Sequence, residues 1–167
     1  DIMKQISVIL IVFTALFLLS GLTVFPVEWE VKTVIKILWG DAPVGDGLLS
    51  PIHKKMVEIR DSLPVLREQY HFIFYGLDWL GFGFIVMSIL FIGVIRNPIK
   101  NKWIIQFALI SCILVIPFAA IFAPLRGMPW QWILIDSSFG IFGAIPLLII
   151  LRSIRKLELT EDTSTKT

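Results

Sequence analysis

Two aspartates stand inside long apolar stretches of the sequence and are its clearest candidates for chemistry. Asp78 is the only charged residue in the stretch 72–95, and Asp136 is the only one in the stretch 132–151. A carboxylate surrounded by hydrocarbon is costly, so such a residue faces the interior of a helical bundle or a wet cavity and marks a functional site by default. The two aspartates are therefore the starting point for a functional interpretation.

Small residues accompany both carboxylates. Asp136, Gly140 and Gly143 recur at the spacing of one helical face, and Gly81 follows Asp78 by about one turn. Small residues let transmembrane helices approach each other closely. We therefore expect both carboxylates to point into the bundle, where they can approach each other.

Three interpretations of this pair are open. In the first, the carboxylates are structural, and Arg126, Ser137, Ser138, Gln106 or protonation neutralises them. In the second, they bind a cationic or hydroxylated ligand, or an ion, in an outer-leaflet pocket. In the third, they perform acid–base catalysis, because two carboxylates in a low-dielectric site can set a proton donor beside an acceptor, and His71 borders the same stretch.

Four apolar segments must position these residues, at about 6–27, 72–95, 103–125 and 132–151. Each approaches the roughly 20 residues that a helix needs to cross the hydrocarbon core of a bilayer. The 167 residues are 56% hydrophobic and 17% charged, with a mean hydropathy of +0.84. A chain of this length has more apolar residues than one soluble core can bury. We predict an all-α polytopic membrane protein, a four-transmembrane-helix bundle, and we exclude a soluble globule.

Basic residues predict the orientation of the bundle. The link 96–102 holds three basic residues and no acid, and Arg152, Arg155 and Lys156 follow the fourth span. Short loops rich in lysine and arginine stay in the cytoplasm. Both termini are therefore predicted to be cytoplasmic, in a plasma or inner membrane or in the endoplasmic reticulum of a eukaryote, with segment 28–71 on the outer side. The net charge of +2 is too small to indicate a nucleic acid as partner.

Aromatic residues near the span ends complete the candidate ligand-binding set. Tyr75, Trp79 and Trp132 are typical of the belt that anchors helices at the membrane surface. Stacking against a ligand is the alternative interpretation. The candidate ligand-binding residues are Asp78, Asp136, Arg126, Trp79, Tyr75, Trp132 and Ser137.

The outer segment predicts two short amphipathic helices. The first carries a stripe of apolar residues and ends at Gly40. The second begins at Ser50 and Pro51 and carries a narrow apolar seam. We expect Pro64 to break or kink it, with a new helix from near Ser62 leading into the second span. The stripe residues are Val31, Val34, Ile35 and Leu38, and the seam residues are Ile52, Met56, Ile59 and Leu63.

The seam has two possible uses. It is typical of packing against the protein's own neighbouring helices, and the alternative is a membrane protein partner docked through residues 31–66. Motifs for cofactors or metals are missing from the sequence, which has one cysteine, Cys112, and two histidines. We therefore predict no cofactor and no metal.

The layout of the chain resembles the group of the emopamil-binding protein and the sigma-2 receptor. The shared features are a first span, a long outer segment with short helices, and three further spans with a basic inner link. The resemblance implies carboxylates in a bundle pocket that bind sterol-like amines or isomerise sterols. It covers the layout only, and the histidine-and-acid motif of that group is missing from the first two spans.

Together, these features predict one membrane domain, residues 1–159, with a flexible cytoplasmic tail at 160–167. The favoured function is non-enzymatic binding or transport of a small or lipid-like ligand at an outer-leaflet carboxylate pocket within the bilayer. One alternative is a membrane-embedded lipid- or sterol-modifying enzyme with Asp78, Asp136 and His71 as acid and base. The other is an accessory subunit of a larger membrane complex.

Overall fold

The structure is a computed structural model that describes residues 2–164, with residues 160–164 described by their backbone alone. Within this range the chain forms six helices and no strand. They are α1 (Ile2–Thr23), α2 (Val27–Trp39), α3 (Ser50–Gln69), α4 (His71–Arg96), α5 (Lys102–Leu125) and α6 (Trp130–Ser164). The helices α1, α4 and α5 and the Trp130–Leu159 part of α6 are long and apolar enough to cross a membrane. The prediction of an all-α bundle with four membrane spans is confirmed.

The boundaries of the helices follow local sequence signals. The helix α1 ends at Thr23, short of the predicted 27, because Pro26 cannot donate to an α-helical hydrogen bond and α2 starts directly after it. Gly40 ends α2 with a positive φ of 62°, as the sequence predicts. Gly127 makes the turn between α5 and α6 with a φ of 67°.

The spans are arranged as two close pairs that are joined at one end. The helix α1 packs mainly against α4, and α5 packs mainly against α6. One hydrophobic cluster joins all four at the end that holds the start of α1 and the end of α4, here called the core end. Its buried residues are Ile6, Leu10, Phe91, Val94, Ile104, Ile105, Ala108, Leu147, Ile150 and Ile154. At the same end Lys102 Nζ lies 2.7 Å from Glu158 Oε2.

At the opposite end, here called the cap end, close contacts lie within each pair. A β-carbon added to Gly21 of α1 would lie 2.7 Å from the Phe84 Cβ of α4, and one added to Gly81 would lie 3.0 Å from the Gly21 carbonyl oxygen. Gly76 and Gly83 of α4, by contrast, have open space where a β-carbon would stand. The two pairs therefore touch chiefly at the core end.

The helices α2 and α3 form an antiparallel hairpin at the cap end, here called the cap. Ile35, Ile52 and Met56 are buried in the cap, and the partly buried Trp132 and Ile135 of α6 pack against them. The predicted stripe and seam therefore pack against the protein's own chain. Leu38 is the exception in the stripe, because it lies near the end of α2 and is exposed.

Two side-chain contacts fasten the two ends of the cap. Arg67 Nη1 lies 2.9 Å from Glu28 Oε1, which links the end of α3 to the start of α2. At the other end the rings of Trp39 and His53 stack with their centroids 4.5 Å apart and their planes 4° apart. His53 is buried, although its sequence context gave no sign of this.

The break expected near Pro64 and the new helix expected from near Ser62 are wrong, while the alternative of a kink at Pro64 stays a prediction. The helix α3 runs through Pro64 to Gln69, and the chain changes direction at Tyr70, whose φ and ψ are −130° and 57°. Leu63, next to the proline, is buried. A proline removes one backbone donor, and packing of the flanking turns holds the helix through it.

The predicted tail lies at the end of α6. This helix continues through 160–164, and the remaining residues of the predicted tail, 165–167, lie outside the described residues.

Candidate functional site

The face of α6 that carries Asp136 packs against α5. Gly140, one turn from Asp136, lies directly against the Cys112 carbonyl oxygen of α5, and a β-carbon on Gly143 would lie 3.0 Å from Cys112 Sγ. The expectation that these glycines allow close helix approach is confirmed. They set Asp136 at the edge of the tightest contact in the α5–α6 pair.

Asp136 lies between this helix contact and the cap. Trp132, one turn toward the cap end, and the adjacent Ile135 both pack against the cap cluster. Asp136 and Ser137 are half-buried, and the Ser138 hydroxyl donates to the Ile135 carbonyl at 2.6 Å. Among the described residues the Asp136 carboxylate makes no hydrogen bond or ion pair. A half-buried carboxylate with apolar neighbours is thus left open to an external partner.

Asp78 occupies a different environment, and the expectation that it points into the bundle is wrong. Its side chain is exposed. Gly81, about one turn away, meets Gly21 near the end of α1, so Asp78 stands level with the residues where α1 ends. At 3.6 residues per turn, Asp78 lies about 140° or more around α4 from Phe91 and Val94, which face the four-helix core.

The two carboxylates therefore do not face each other. Asp136 lies at the edge of the α5–α6 contact in one helix pair, while Asp78 lies on the outer flank of the other pair. The expectation that the two carboxylates approach each other assumed a bundle in which all four spans are in contact along their whole length. The two helix pairs instead meet mainly at the core end. The cap-end flanks of α4 are therefore without a neighbour from α5 or α6.

The other candidate residues lie around the cap end. Arg126 ends α5, is exposed, and has no ion pair in the part of the chain that the structure describes. Tyr75 and Trp79 are exposed and meet edge-on at 6.1 Å, and Trp79 meets Phe82 in the same way at 5.5 Å. His71 is exposed at the start of α4. These aromatic rings form a continuous exposed row along α4.

A buried amide ties the cap to α6. Gln131, in the first turn of α6, is 8% exposed, and its Nε2 donates to the Leu48 carbonyl at 3.2 Å. Its Oε1 has no hydrogen-bond partner among the described residues. The chain just before α3 is therefore held against the chain that begins α6.

Beside this contact lies a cavity that was not expected from the sequence. It has a volume of about 430 Å³ and lies between the first turns of α3 and the turn that joins α5 to α6. The residues that line it are Pro51, Lys54, Lys55, Glu58, Gly127, Met128 and Pro129. Lys54 and Lys55 lie in the first turns of α3, far in sequence from the turn between α5 and α6. Their position in the sequence therefore did not indicate that they lie beside this turn.

Among residues 2–159, whose side chains the structure describes, His, Cys, Asp and Glu form no group of three or more that could hold a metal ion. Comparisons of the chain with protein-family models, with curated proteins and with solved structures gave no match.

Proposed function

We propose that this integral membrane protein binds a small lipid-like molecule with a cationic or hydroxylated head, at the cap end between its two helix pairs, with Asp136 as the polar contact. The observation that carries the proposal is the position of the four-helix core, which lies entirely at the core end. In this proposal the protein is a binder or transporter and performs no reaction.

The separation of the pairs at the cap end supports room for a ligand. Gly76 and Gly83 lie on the side of α4 that also carries Val94, which packs in the core. Toward the cap end the same side carries open space beside both glycines. An apolar body can lie along this side of α4 because glycine presents no side chain to exclude it.

The state of Asp136 supports the chemistry of the head group. A carboxylate among apolar side chains gains stability from a donor that satisfies its oxygens, and an amine or a hydroxyl supplies one. Because the described side chains leave Asp136 without such a donor, the ligand provides it in this proposal. Trp132 covers the same face from the cap side.

The remaining candidates take supporting roles in this proposal. Asp78, exposed level with the end of α1 and on the opposite side of α4 from Gly76 and Gly83, adds negative charge at the cap end that attracts a cationic head toward the protein. Tyr75 and Trp79 hold the entrance at the membrane surface. Arg126, beyond the ends of the spans, lies on the rim. The acid–base alternative, in which His71 acts together with the two aspartates, remains a prediction. His71 is exposed at the start of α4.

A second candidate function is that of an accessory subunit. Exposed apolar residues of the cap favour this second function. Ile37 and Leu48 are each 75% exposed, whereas the seam already packs within the protein and is not available to a partner. A partner that docks on residues 31–66 would therefore contact this outer side and leave the seam in place.

The test uses a lipophilic tertiary amine that carries a photoreactive group, together with a neutral alcohol of the same shape. We expect the amine to label the purified protein on α4 or α6 near the cap end, and Asp136→Asn to reduce amine labelling about tenfold, as loss of a charge-assisted hydrogen bond predicts. The matched control is Asp46→Asn, which removes the same charge from the exposed connection between α2 and α3. Labelling that is insensitive to Asp136→Asn, or equally sensitive to both variants, contradicts the proposal.

A further inference from the structure

We propose that the cavity between α3 and the α5–α6 turn binds a phosphate-bearing anion, and that its source is the head group of an anionic phospholipid. The site is distinct from Asp136 and does not depend on the function proposed above. Three features support this site: the cavity itself, the charges around the cavity, and the position of the cavity at the end of the membrane spans.

The cavity is large enough for a phosphate group and its first substituent. Its volume of about 430 Å³ falls within the range of small-molecule pockets, which run from roughly 300 to 1,000 Å³. Residues of α3 form one wall, and Gly127, Met128 and Pro129 form the other. Gly127 has a positive φ, so the chain turns sharply at this residue. This second wall is therefore only a short turn of the chain, with space beside it.

The charges around the cavity are positive in sum. Lys55 Nζ lies 2.8 Å from Glu58 Oε2, and this pair cancels its own charge. Lys54 lines the same cavity, is exposed, and has no ion pair with the side chains that the structure describes, those of residues 2–159. Glu58 is the only acid in the lining, so Lys54 leaves a net positive charge that an anion can neutralise.

Arg126 increases this positive charge. It directly precedes Gly127, is exposed, and makes no ion pair with any described residue. Arg126 is not part of the lining, but its charge next to Gly127 adds to the positive potential that attracts a phosphate to Lys54. The helix α3 also begins at this cavity without a side-chain cap, so its positive end adds to the attraction.

The position of the cavity favours a lipid as the source of the phosphate. It adjoins the turn between two helices that are long and apolar enough to span a membrane. Trp130, directly after Pro129, is exposed in the way that interface-anchoring tryptophans are. Phospholipid phosphates lie at this level of a bilayer, and basic pockets beside transmembrane helices bind such head groups.

The experiment measures lipid retention by native mass spectrometry on the full chain, purified and supplied with phosphatidylglycerol or phosphatidylcholine. The test variant is Lys54→Gln/Lys55→Gln. The matched control is Lys32→Gln/Lys36→Gln, which removes two lysines from the exposed side of α2 in the same cap. We expect the wild type to retain phosphatidylglycerol preferentially, the test variant to bind it about tenfold more weakly, and the control variant to bind it as the wild type does.

Two soluble competitors separate the sources of the phosphate. Failure of millimolar glycerol phosphate and inorganic phosphate to displace the lipid supports the head group as ligand, whereas displacement by either assigns the site to a soluble phosphate and overturns the lipid source. Equal loss in both double variants, or none in the test variant, overturns the site itself. Lys54→Gln alone, which leaves the Lys55–Glu58 pair intact, replaces the double variant where that variant fails to fold.

Discussion

Gly140 of α6 lies so close to the carbonyl oxygen of Cys112 on α5 that the backbone leaves no room for a β-carbon. This contact fixes the distance between α5 and α6, and with it the position of Asp136 one turn away. Backbone cannot move aside as a flexible side chain can, so any larger residue at position 140 must push the helices apart.

The first prediction concerns this contact. Gly140→Ala should destabilise the protein by about 1–3 kcal/mol, the usual cost of overpacking a tight site. Thermal unfolding in detergent measures the effect. The matched control is Gly83→Ala in the middle of α4, where a β-carbon meets open space. We expect Gly83→Ala to be neutral or slightly stabilising, because alanine is the better helix former. Equal destabilisation by the two variants would refute the close contact.

The second prediction concerns the stacked pair of Trp39 and His53. His53→Ala should destabilise the end of the cap that carries the connection 40–49 by about 1–3 kcal/mol of local unfolding free energy. The substitution removes a buried ring whose centroid lies 4.5 Å from that of Trp39. Limited proteolysis of the connection 40–49 should become faster. His53→Phe keeps a flat ring and should retain most of the protection, and His71→Ala, at an exposed histidine, should leave it unchanged. Cleavage that is as fast in the His71 variant as in the His53→Ala variant would contradict the role of the stack.

The sequence predicted the elements of this fold well, for a physical reason. Apolar stretches longer than a bilayer is thick have few alternatives to a membrane-spanning helix, so the four spans could be recognised from composition alone. The helix α2 likewise shows its buried face as a stripe around Ile35 and its end as Gly40. Local patterns of this kind need no knowledge of the partner helix.

The arrangement of the spans could not be predicted in the same way. Most residues of a transmembrane helix are apolar whether they face lipid or protein, so the periodicity of apolar residues does not reveal which side of α4 meets α1. Gly81 meets α1 and Gly83 meets nothing, although both are glycines two residues apart. The inward direction expected of Asp78 depended on this unknown and was wrong, while Asp136 is half-buried one turn from the contact that Gly140 makes with α5.

The third prediction concerns pH outside the membrane spans. Arg60 Nε lies 2.8 Å from Asp61 Oδ1, and this hydrogen bond holds the pKa of the Asp61 carboxyl below its ordinary value of 3.8. The stabilisation from a lowered pKa is complete above the ordinary value and is lost as the pH falls through the lowered one. A carboxyl NMR titration should therefore show Asp61 ionising below 3.8, and Arg60→Gln should raise its pKa. An unchanged pKa in the variant would contradict the contact.

The fourth prediction concerns the orientation of the bundle, which the basic residues assign. Because Cys112 is the only cysteine, Cys112→Ser provides a cysteine-free background for single probes. Gly45→Cys places a thiol in the exposed connection of the cap, and Lys100→Cys places one in the basic link between α4 and α5. Both positions are exposed, so each thiol can react wherever reagent reaches it. The probes should differ only in the side of the membrane they report.

A membrane-impermeant maleimide added to intact cells should label Gly45→Cys and leave Lys100→Cys unlabelled, because the link 96–102 still holds Arg96 and Lys102 in this variant and no acid, which retains it in the cytoplasm. Both probes should react once the membrane is opened. Labelling of Lys100→Cys in intact cells, with protection of Gly45→Cys, would invert the bundle. Asp136 would then lie in the cytoplasmic leaflet, and a ligand for the cap end would have to arrive from the cytoplasm.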